Sequence, residues 1–322
     1  MKLTIVVPTY NRAAYLKRAV ESVLDQLPSA PADVSLVLRI YDNASTDRTP
    51  EVCADLVARE PRMQVFRNNA NIGGDANILR GLSEADSDYV WVIGDDDYLR
   101  AGTLGALCRL LATRQFDLLK MGSVEERDVR SSGTAVMGAP KAALESKLTV
   151  ERFASASDVL DRFGMGLGNF SSIIFSCDFF RSFHRPASTE LFQSGYSQLE
   201  WIYRGLYARP MAFGHVVDPV LVLRIEISPR DVTADKVNLG LDLLRGHLLE
   251  IGYPDHAAAT FHTRQHDAIL LGQVKTRKIF GVPMWRELAT ALRGLSNGRQ
   301  RMKLLLIAVL PSRLYRELWV RL

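Results

Sequence analysis

Three adjacent aspartates in the first third of the chain have the residue type and spacing of a cation site. Asp95, Asp96 and Asp97 follow Gly94 and the apolar run 89–93, which predicts a buried strand. Neighbouring carboxylates repel one another, so the cluster must be solvated or neutralised by a cation. Because Mg²⁺ and Mn²⁺ prefer oxygen ligands and share them with substrate phosphates, we expect a divalent cation and a phosphate-bearing ligand here. The alternative is a solvated turn that caps the next helix.

Two other segments carry polar or glycine residues at comparable places. Asp42 follows the apolar run 34–41, where its carboxylate can accept a hydrogen bond from a ligand such as a nucleobase. Ser45 and Asp47 beside it are good helix caps, so capping is the alternative. Gly73 and Gly74 precede a predicted helix, where paired glycines let a phosphate approach the backbone. A flexible entry turn is the alternative there.

These segments need elements that bring them together. Short apolar runs alternate with helical periodicity over the first third of the chain, which predicts parallel βαβ units with right-handed crossovers. Ligands of such sheets bind at the carboxyl ends of the strands. The residues at those ends are 8–11, 42–43 and 94–97. We therefore expect an α/β fold with one ligand-binding edge.

The pattern after Asp97 is less regular. It predicts helices over 104–113, 150–163 and 197–208, strands over 116–121, 171–175 and 216–225, and a loop over 131–141. From Val232 onward only helical periodicity remains. We therefore expect an α/β part over 1–228, whose regular βαβ units extend to about 121, followed by a helical region over 229–322.

Composition excludes several classes of protein. The 322 residues are 47% apolar and 24% charged, which excludes wholesale disorder. Three cysteines lie far apart, which excludes a disulfide scaffold or a zinc ribbon and suits a reducing cytoplasm. No apolar run approaches the ~20 residues that a membrane span needs, so we expect a soluble or peripheral protein.

Charge is concentrated at the end of the chain. The net charge is +4, yet from Lys275 onward there are eleven basic residues and two acidic ones. Basic residues also stand beside two apolar stripes of helical spacing, which is typical of a helix on an anionic membrane surface. The alternatives are a helical cap on the catalytic domain or a dimer contact. The stripes are Trp285, Leu288, Leu292 and Leu295, then Leu314, Tyr315, Leu318, Trp319 and Leu322.

Four motifs together resemble family 2 glycosyltransferases with the GT-A fold. They are residues 6–12, 42–47, 71–74 and 94–97, and the resemblance covers about residues 1–121, with a vaguer similarity to abequosyltransferase-like members beyond. It implies a GT-A type nucleotide-binding domain with a mostly parallel sheet as the catalytic domain over 1–228, followed by a helical C-terminal extension over 229–322. Within the catalytic domain, the nucleotide-sugar half would cover about 1–121 and the acceptor half about 122–228. The resemblance also implies a divalent cation, Mg²⁺ or Mn²⁺, as cofactor.

The resemblance assigns roles to individual residues. The donor-binding residues would be Pro8, Thr9, Tyr10, Arg12, Asp42, Gly73, Gly74, Asn77, Asp95 and Asp96, and the metal ligands Asp97 and Asp95. Many members begin the last motif with Asp-Xaa-Asp-Asp, whereas this chain has Gly94 there, so the metal-binding carboxylate stays open. The catalytic base would be Glu200, at the start of a helix, with Glu190 as the fallback. A solvated or ion-paired glutamate is the alternative.

The function implied by the resemblance is inverting, metal-dependent transfer of one sugar. The donor would be a nucleotide-sugar and the acceptor a saccharide, in the lipid-linked form, during bacterial surface polysaccharide biosynthesis at the inner face of the cell membrane. We expect no nucleic-acid partner, and an oligomer is possible. One alternative is a nucleotidyltransferase, although that class would need a glycine-rich signature where this chain has residues 8–11. The other alternative is a non-catalytic nucleotide- or sugar-binding scaffold.

Overall fold

The apolar runs of the first third form neighbouring strands of one sheet. The computed structural model describes residues 1–60, 62–129, 147–185, 197–227, 234–280, 284–312 and 315. Its strands are β1 Lys2–Thr9, β2 Ser35–Asp42, β3 Gln64–Arg67, β4 Tyr89–Val92, β5 Tyr98–Leu99, β6 Leu118–Val129, β7 Val150–Arg152, β8 Ile173–Ser176 and β9 Phe213–Ile227. Glu190 and the predicted loop 131–141 lie outside the described residues.

Helices connect these strands and then continue without strands to the end of the described chain. They are α1 Ala13–Leu24, α2 Thr49–Arg59, α3 Gly74–Ser83, α4 Leu104–Ala112, α5 Ala156–Phe163, α6 Cys177–Phe183, α7 Ser197–Ala208, α8 Ala234–Ile251, α9 Asp255–Phe280, α10 Trp285–Gly294 and α11 Gly298–Val309. The helical C-terminal extension is therefore confirmed. None of the helices in the described part of the chain is long and apolar enough to cross a membrane.

The sheet is parallel in its first half and mixed in its second. The strand order is β3-β2-β1-β4-β8-β6-β9-β5, with β7 also paired to β9. Strands β1, β2, β3 and β4 pair in parallel, whereas β8 is antiparallel to both β4 and β6. Strand β9 runs parallel to β6 and antiparallel to β5 and β7. The predicted α/β fold, with parallel βαβ units in the first part of the chain, is confirmed.

Apolar side chains cover both faces of the sheet, which is why the strands read as continuous apolar runs. Ile5 and Val7 point into one core, where they meet Leu16 and Leu107 of α1 and α4. Val6 points the other way, into a second core that includes side chains of α3, α5, α6, α7 and α8. With the core on both sides, polar side chains that belong to the sheet are left at the ends of its strands.

The second half departs from the expected elements in two places. The single helix predicted over 150–163 is wrong, because residues 150–152 pair with β9 and α5 starts only after Ser155. Ser155 and Asp158 form a reciprocal capping box that fixes this start. The short helix α6 was not predicted; it begins where the Ser176 hydroxyl accepts a hydrogen bond from the Phe179 amide at 3.1 Å.

Candidate functional site

The carboxyl ends of β1, β2 and β4 lie side by side. Thr9 at the end of β1 is in register with Asp42 at the end of β2, and the Asn43 amide donates to the Thr9 carbonyl at 2.9 Å. On the other side of β1, the Ile93 amide donates to the Val6 carbonyl at 2.9 Å as β4 ends. Pro8 lies within β1, opposite Tyr41. Segments far apart in the sequence therefore meet at one edge, as parallel pairing predicts.

Asp95 is anchored from the first strand. The Thr9 hydroxyl donates to Asp95 Oδ2 at 2.7 Å, and both side chains are buried. Burial raises the pKa of Asp95 to about 6, the Asp96 charge also raises it, and the Thr9 hydrogen bond and Arg12 oppose the shift. A buried carboxylate with a raised pKa at a predicted ligand edge is typical of a functional site.

Asp97 is anchored from the second half of the chain. Its Oδ1 accepts a hydrogen bond from the Arg224 amide of β9 at 2.9 Å, and the Ser171 hydroxyl also donates to its carboxylate. Ser171 Oγ in turn accepts a hydrogen bond from the Gly94 amide at 2.8 Å. Burial raises the pKa of Asp97 to about 6 despite these hydrogen bonds. Sequence reasoning missed the roles of Ser171 and Arg224.

Gly94 leaves the space that these carboxylates occupy. A Cβ at this position would lie 3.0 Å from Asp97 Oδ2 and 3.3 Å from Asp96 Oδ1. A side chain here would therefore crowd two carboxylates of the cluster. The absence of a side chain at Gly94, where the Asp-Xaa-Asp-Asp pattern has an aspartate, therefore allows the carboxylates of Asp96 and Asp97 to lie close to the backbone.

The Arg12 guanidinium lies beside the aspartates, and the Arg224 guanidinium lies over the same tyrosine ring as Arg12. Arg12 pairs with Asp96 at 3.0 Å, and that carboxylate is the more accessible member of the cluster. The guanidinium carbons of Arg12 and Arg224 lie 5.5 and 4.0 Å from the centroid of the Tyr15 ring. Positive charge next to buried carboxylates allows the edge to receive an anionic ligand together with a cation.

Asp42 holds the neighbouring turn. It is buried, forms an ion pair with Arg67, and accepts a hydrogen bond from the Ser45 amide at 3.0 Å. Arg67 also donates to the Ser45 carbonyl at 2.7 Å, so the pair closes the turn that follows β2. Sequence reasoning did not identify Arg67. A contact between Asp42 and a nucleobase stays a prediction.

The turn after β1 is tied to the same segment. Asn11 adopts a positive φ of 52°, and its side-chain oxygen accepts a hydrogen bond from the Thr46 amide at 2.7 Å. Tyr10 beside it is 42% exposed, so its ring is accessible to a ligand at this edge. A role for Tyr10 in donor binding stays a prediction.

The glycine segment is open, whereas Asn77 behind it is not. Gly73 has a φ of 89°, and a Cβ built on Gly73 or Gly74 would meet no atom within 4 Å. The side chain of Asn77 donates from Nδ2 to the Tyr41 carbonyl at 2.8 Å, and its Oδ1 accepts a hydrogen bond from the Asn68 side chain at 2.9 Å. Asn77 therefore fastens α3 to the sheet, and its direct contact with a donor stays a prediction that this geometry does not favour.

Glu200 lies in the first turn of α7 and is 8% exposed. Its carboxylate forms an ion pair with Arg204, whose Nε donates at 2.9 Å. Gln198 donates to the Gly168 carbonyl at 2.8 Å, which joins the start of α7 to the segment that leads to Ser171. Within the described residues, no hydrogen bond or ion pair joins Glu200 to the aspartates. Its role as a base stays a prediction, and Glu190 cannot be compared with it.

The carboxylates at this edge suit a cation that the protein and a bound ligand coordinate together, rather than a cation that protein side chains alone surround. Over the described ranges, no group of three or more His, Cys, Asp or Glu side chains is arranged to hold a metal. Mg²⁺ commonly binds through one or two carboxylates together with substrate phosphates, so the carboxylates of Asp95 and Asp97 fit a cation that arrives with a diphosphate.

The sequence matches a known protein family over most of the part that builds this edge of the sheet. Residues 4–185, more than half of the chain, match the family described as Glycosyl transferase family 2. The chain belongs to this family. The resemblance drawn from the four motifs is thereby confirmed.

Two relatives show how far the sequence similarity of this family member extends. Abequosyltransferase RfbV from Salmonella typhimurium is 35% identical over 109 residues, which cover 33% of this chain and 32% of the relative. The GalNAc(5)-diNAcBac-PP-undecaprenol beta-1,3-glucosyltransferase from Campylobacter jejuni is 33% identical over 107 residues, 33% of each chain. The aligned part of the chain thus spans about a third of the length of these relatives.

Solved structures extend the likeness of fold to nearly the whole chain. S. aureus TarS 1-349 superposes with a TM-score of 0.58 at 15% identity, covering 98% of this chain and 89% of that one. The complex of the same protein with UDP-GlcNAc gives a TM-score of 0.53 at 16% identity, with 98% and 90% coverage. At these identities the likeness shows the fold alone.

Proposed function

We propose that this family 2 member is an inverting, cation-dependent glycosyltransferase that moves one sugar from a nucleotide-sugar to a saccharide acceptor. The observation that carries the proposal is the pair of buried carboxylates at the end of β4, Asp95 and Asp97, each held by a hydroxyl of another segment. Their costly burial at the ligand edge is compensated when a cation and a diphosphate bind there. Inversion is proposed from membership of the family.

The residues around the pair have distinct tasks in this proposal. Asp95 and Asp97 would hold the cation, which when bound stabilises the negative charge of the departing diphosphate. Thr9 and Ser171 orient the two carboxylates through their hydroxyl groups. Arg12, paired with Asp96, adds a positive charge that attracts the phosphates. Gly73 and Gly74 leave the start of α3 open to the donor.

Glu200 is the proposed base of the reaction. It would accept the proton of the acceptor hydroxyl at its carboxylate as the sugar is transferred. Support comes from its place in the first turn of α7 and from the hydrogen bond between Gln198 and Gly168, which ties that turn to the Ser171 segment. The ion pair with Arg204 fixes the direction of the carboxylate.

The acceptor is proposed to be a lipid-linked saccharide of bacterial surface polysaccharide assembly. Support comes from the names of two relatives, an abequosyltransferase and a glucosyltransferase that acts on a PP-undecaprenol-linked saccharide. Such an acceptor is held at a membrane, so the enzyme would work at the cytoplasmic face as a peripheral protein. The basic C-terminal region supplies the attraction to anionic lipid that this location needs.

Release of nucleoside diphosphate from a panel of nucleotide-sugars tests the proposal. We expect slow hydrolysis of one donor in the presence of Mn²⁺ or Mg²⁺, no hydrolysis with EDTA, and hydrolysis slower by about a hundredfold or more in Asp97→Asn. Asp86→Asn is the matched control, because that carboxylate has a 95% exposed side chain and precedes the amino end of β4, away from the carboxyl ends of the strands. Cation-dependent binding without turnover of any donor would favour the scaffold. Pyrophosphate release from a nucleoside triphosphate and a sugar phosphate would favour the nucleotidyltransferase.

A further inference from the structure

Helix α11 carries apolar side chains on two opposite faces. Leu304 is fully buried in a core shared with α9 and α10, and Ile307 is 6% exposed. On the other face four apolar side chains at positions i, i+3, i+4 and i+7 remain exposed, and we call them the α11 stripe. They are Met302 (60% exposed), Leu305 (43%), Leu306 (59%) and Val309 (77%). The inward face accounts for the packing of α11 on the protein, whereas nothing in the described chain covers the α11 stripe.

The start of α10 adds a large aromatic side chain to this region. Trp285 is 72% exposed, whereas the other members of the first predicted stripe pack on the protein: Leu288 and Leu295 are buried in the core shared by α9, α10 and α11, and Leu292 lies against it. That stripe is therefore a helical cap rather than a lipid-facing surface. Tryptophan has a broad apolar ring and one polar N–H group, which suits the boundary between lipid and water. Among the described residues, the large apolar side chains that are at least 59% exposed are Trp285, Met302, Leu306 and Val309, all in α10 and α11.

The charge of α11 identifies the occupant that fits. The helix contains Arg299, Arg301 and Lys303 and no acidic residue. At 100° per residue, Arg299 and Lys303 lie along one side of the α11 stripe and Arg301 along the other. All three are exposed, although the Arg301 guanidinium also donates to the Leu295 carbonyl at 2.9 Å. An apolar stripe between basic borders is the arrangement of a helix that lies in an anionic lipid surface.

We infer that the α11 stripe inserts into an anionic bilayer while Arg299 and Lys303 contact lipid phosphates. This deepens the proposed function, on which it rests, by naming the surface that holds the enzyme where a lipid-linked acceptor would be. A second copy of the chain fits this surface less well. A symmetric dimer would bring the basic borders of the two stripes together without an acidic partner on α11.

Vesicle binding by full-length variants tests the inference. Vesicles are made of phosphatidylcholine alone or of equal parts phosphatidylcholine and phosphatidylglycerol. The parent protein is expected to bind the anionic vesicles, to release at high salt, and to bind the neutral ones weakly. Leu306→Glu should lower binding by about tenfold or more, because a leucine side chain leaves the lipid and a negative charge enters it. The matched control is Leu249→Glu on α8, a leucine that is 40% exposed outside the stripe, and it should bind as the parent does.

The charge of the borders is tested in the same assay. The double variant Arg299→Gln with Lys303→Gln should bind anionic vesicles more weakly and lose part of the salt dependence. Arg48→Gln, at a side chain that is 83% exposed, is its control. All variants should keep the parent's melting temperature and its hydrolysis of a soluble nucleotide-sugar, since the changed side chains are exposed.

Three outcomes would overturn the inference. The first is an equal loss of vesicle binding in Leu306→Glu and Leu249→Glu. The second is vesicle binding by the parent that does not depend on lipid charge or on salt. The third is a parent protein that binds no vesicles and forms a dimer, which Leu306→Glu converts to a monomer. Failure of the proposed function would look different. The parent would then hydrolyse no donor while its binding to anionic vesicles was unchanged.

Discussion

At the scale of single residues, Asp97 is a carboxylate whose burial the protein alone does not compensate. Asp97 is 7% exposed and lies beside Asp95 and Asp96. Burial raises its pKa to about 6, although the hydrogen bonds from Ser171 and Arg224 oppose this shift. Burial with like charges nearby disfavours the ionised form in the absence of a cation. Buried like charges that lower the stability of the free protein, and that a bound cation would neutralise, are typical of a functional site.

Asp97→Asn is predicted to lower turnover by about a hundredfold or more, because the cation loses a ligand and the departing diphosphate loses its stabilisation. The amide can still accept the Arg224 hydrogen bond, so the fold should persist. The melting temperature without metal should be unchanged or higher at pH 7.5, since a buried charge is removed. Turnover near the parent's value in this variant would remove Asp97 from the site.

Glu200→Gln is predicted to lower turnover by about a hundredfold or more with little change in the affinity for the donor. Glutamine keeps the shape of the side chain and can still accept from Arg204, but it cannot take a proton. Steady-state kinetics with donor and acceptor measure the split between kcat and KM. Arg204→Met is the companion variant, which breaks the ion pair and leaves the carboxylate. Full activity in Glu200→Gln would transfer the base role to another acidic residue, with Glu190 first.

Residues of the candidate site differ in how far the sequence predicts them. The aspartates and Thr9 are predictable, because strand ends in a parallel sheet meet at one edge whatever the rest of the chain does. Ser171 and Arg224 are not, because they reach Asp97 only when β8 pairs with β4 and β9 pairs with β5, strands that are far apart along the chain. Arg67 is not predictable either, because no local sequence pattern indicates its ion pair with Asp42.

At the scale of elements, the start of α3 depends on the backbone of one glycine. Gly73→Ala is predicted to destabilise the protein by about 1 kcal/mol, because φ at this residue is 89° and a Cβ disfavours that conformation. Gly74→Ala is the matched control, as no neighbouring atom opposes its Cβ and alanine favours a helix. Urea unfolding of both variants measures the difference. Equal stability of the two would show that α3 does not require the positive φ.

Strand β6 contains a lysine whose burial is costly at neutral pH. Burial lowers the pKa of Lys120 to about 8, and the Lys120 ammonium donates to the Met121 carbonyl at 3.2 Å. Lys120→Met should therefore raise the free energy of unfolding at pH 7, on the order of 2 kcal/mol. As the pH rises from about 8 toward the unfolded pKa near 10.4, the folded protein releases this proton while the unfolded chain keeps it. The parent's stability should then rise, and the advantage of methionine should shrink.

Urea unfolding of the parent and of Lys120→Met at pH 7 and about pH 9 measures this dependence. An advantage of the methionine variant that is equal at both values, or absent at pH 7, would contradict the assigned burial cost.

Elements of the second half show why sequence patterns lose accuracy there. The first half repeats one supersecondary unit, so apolar periodicity alone predicts its strands and helices. Residues 150–163 combine a strand and a helix separated by one capping box, and a helix-length apolar pattern covers both. Strand β7 exists because β9 is available to pair with it, which is a tertiary condition.

At the scale of the whole molecule, the distribution of charge and of exposed apolar side chains points the same way. The net charge of +4 arises from the region that begins at Lys275, and the α11 stripe lies within that region. Most of the residues of the second predicted stripe, after residue 312, lie outside the described residues. The division into domains at 121 and 228 stays a prediction, since the sheet runs through both proposed halves of the catalytic part.

The most direct test of the central claim is a thermal-shift measurement with nucleoside diphosphates, with and without Mn²⁺. In the proposed function, the aspartates at the end of β4 bind a cation together with a diphosphate. One nucleotide is therefore predicted to raise the melting temperature only when Mn²⁺ is present, and the shift should vanish in Asp97→Asn and persist in Asp86→Asn. At a hundredfold excess over Kd, binding adds about 2.7 kcal/mol to stability, which such a measurement resolves readily. A shift that is independent of Mn²⁺ and unchanged in Asp97→Asn, or no shift with any nucleotide, would contradict the account.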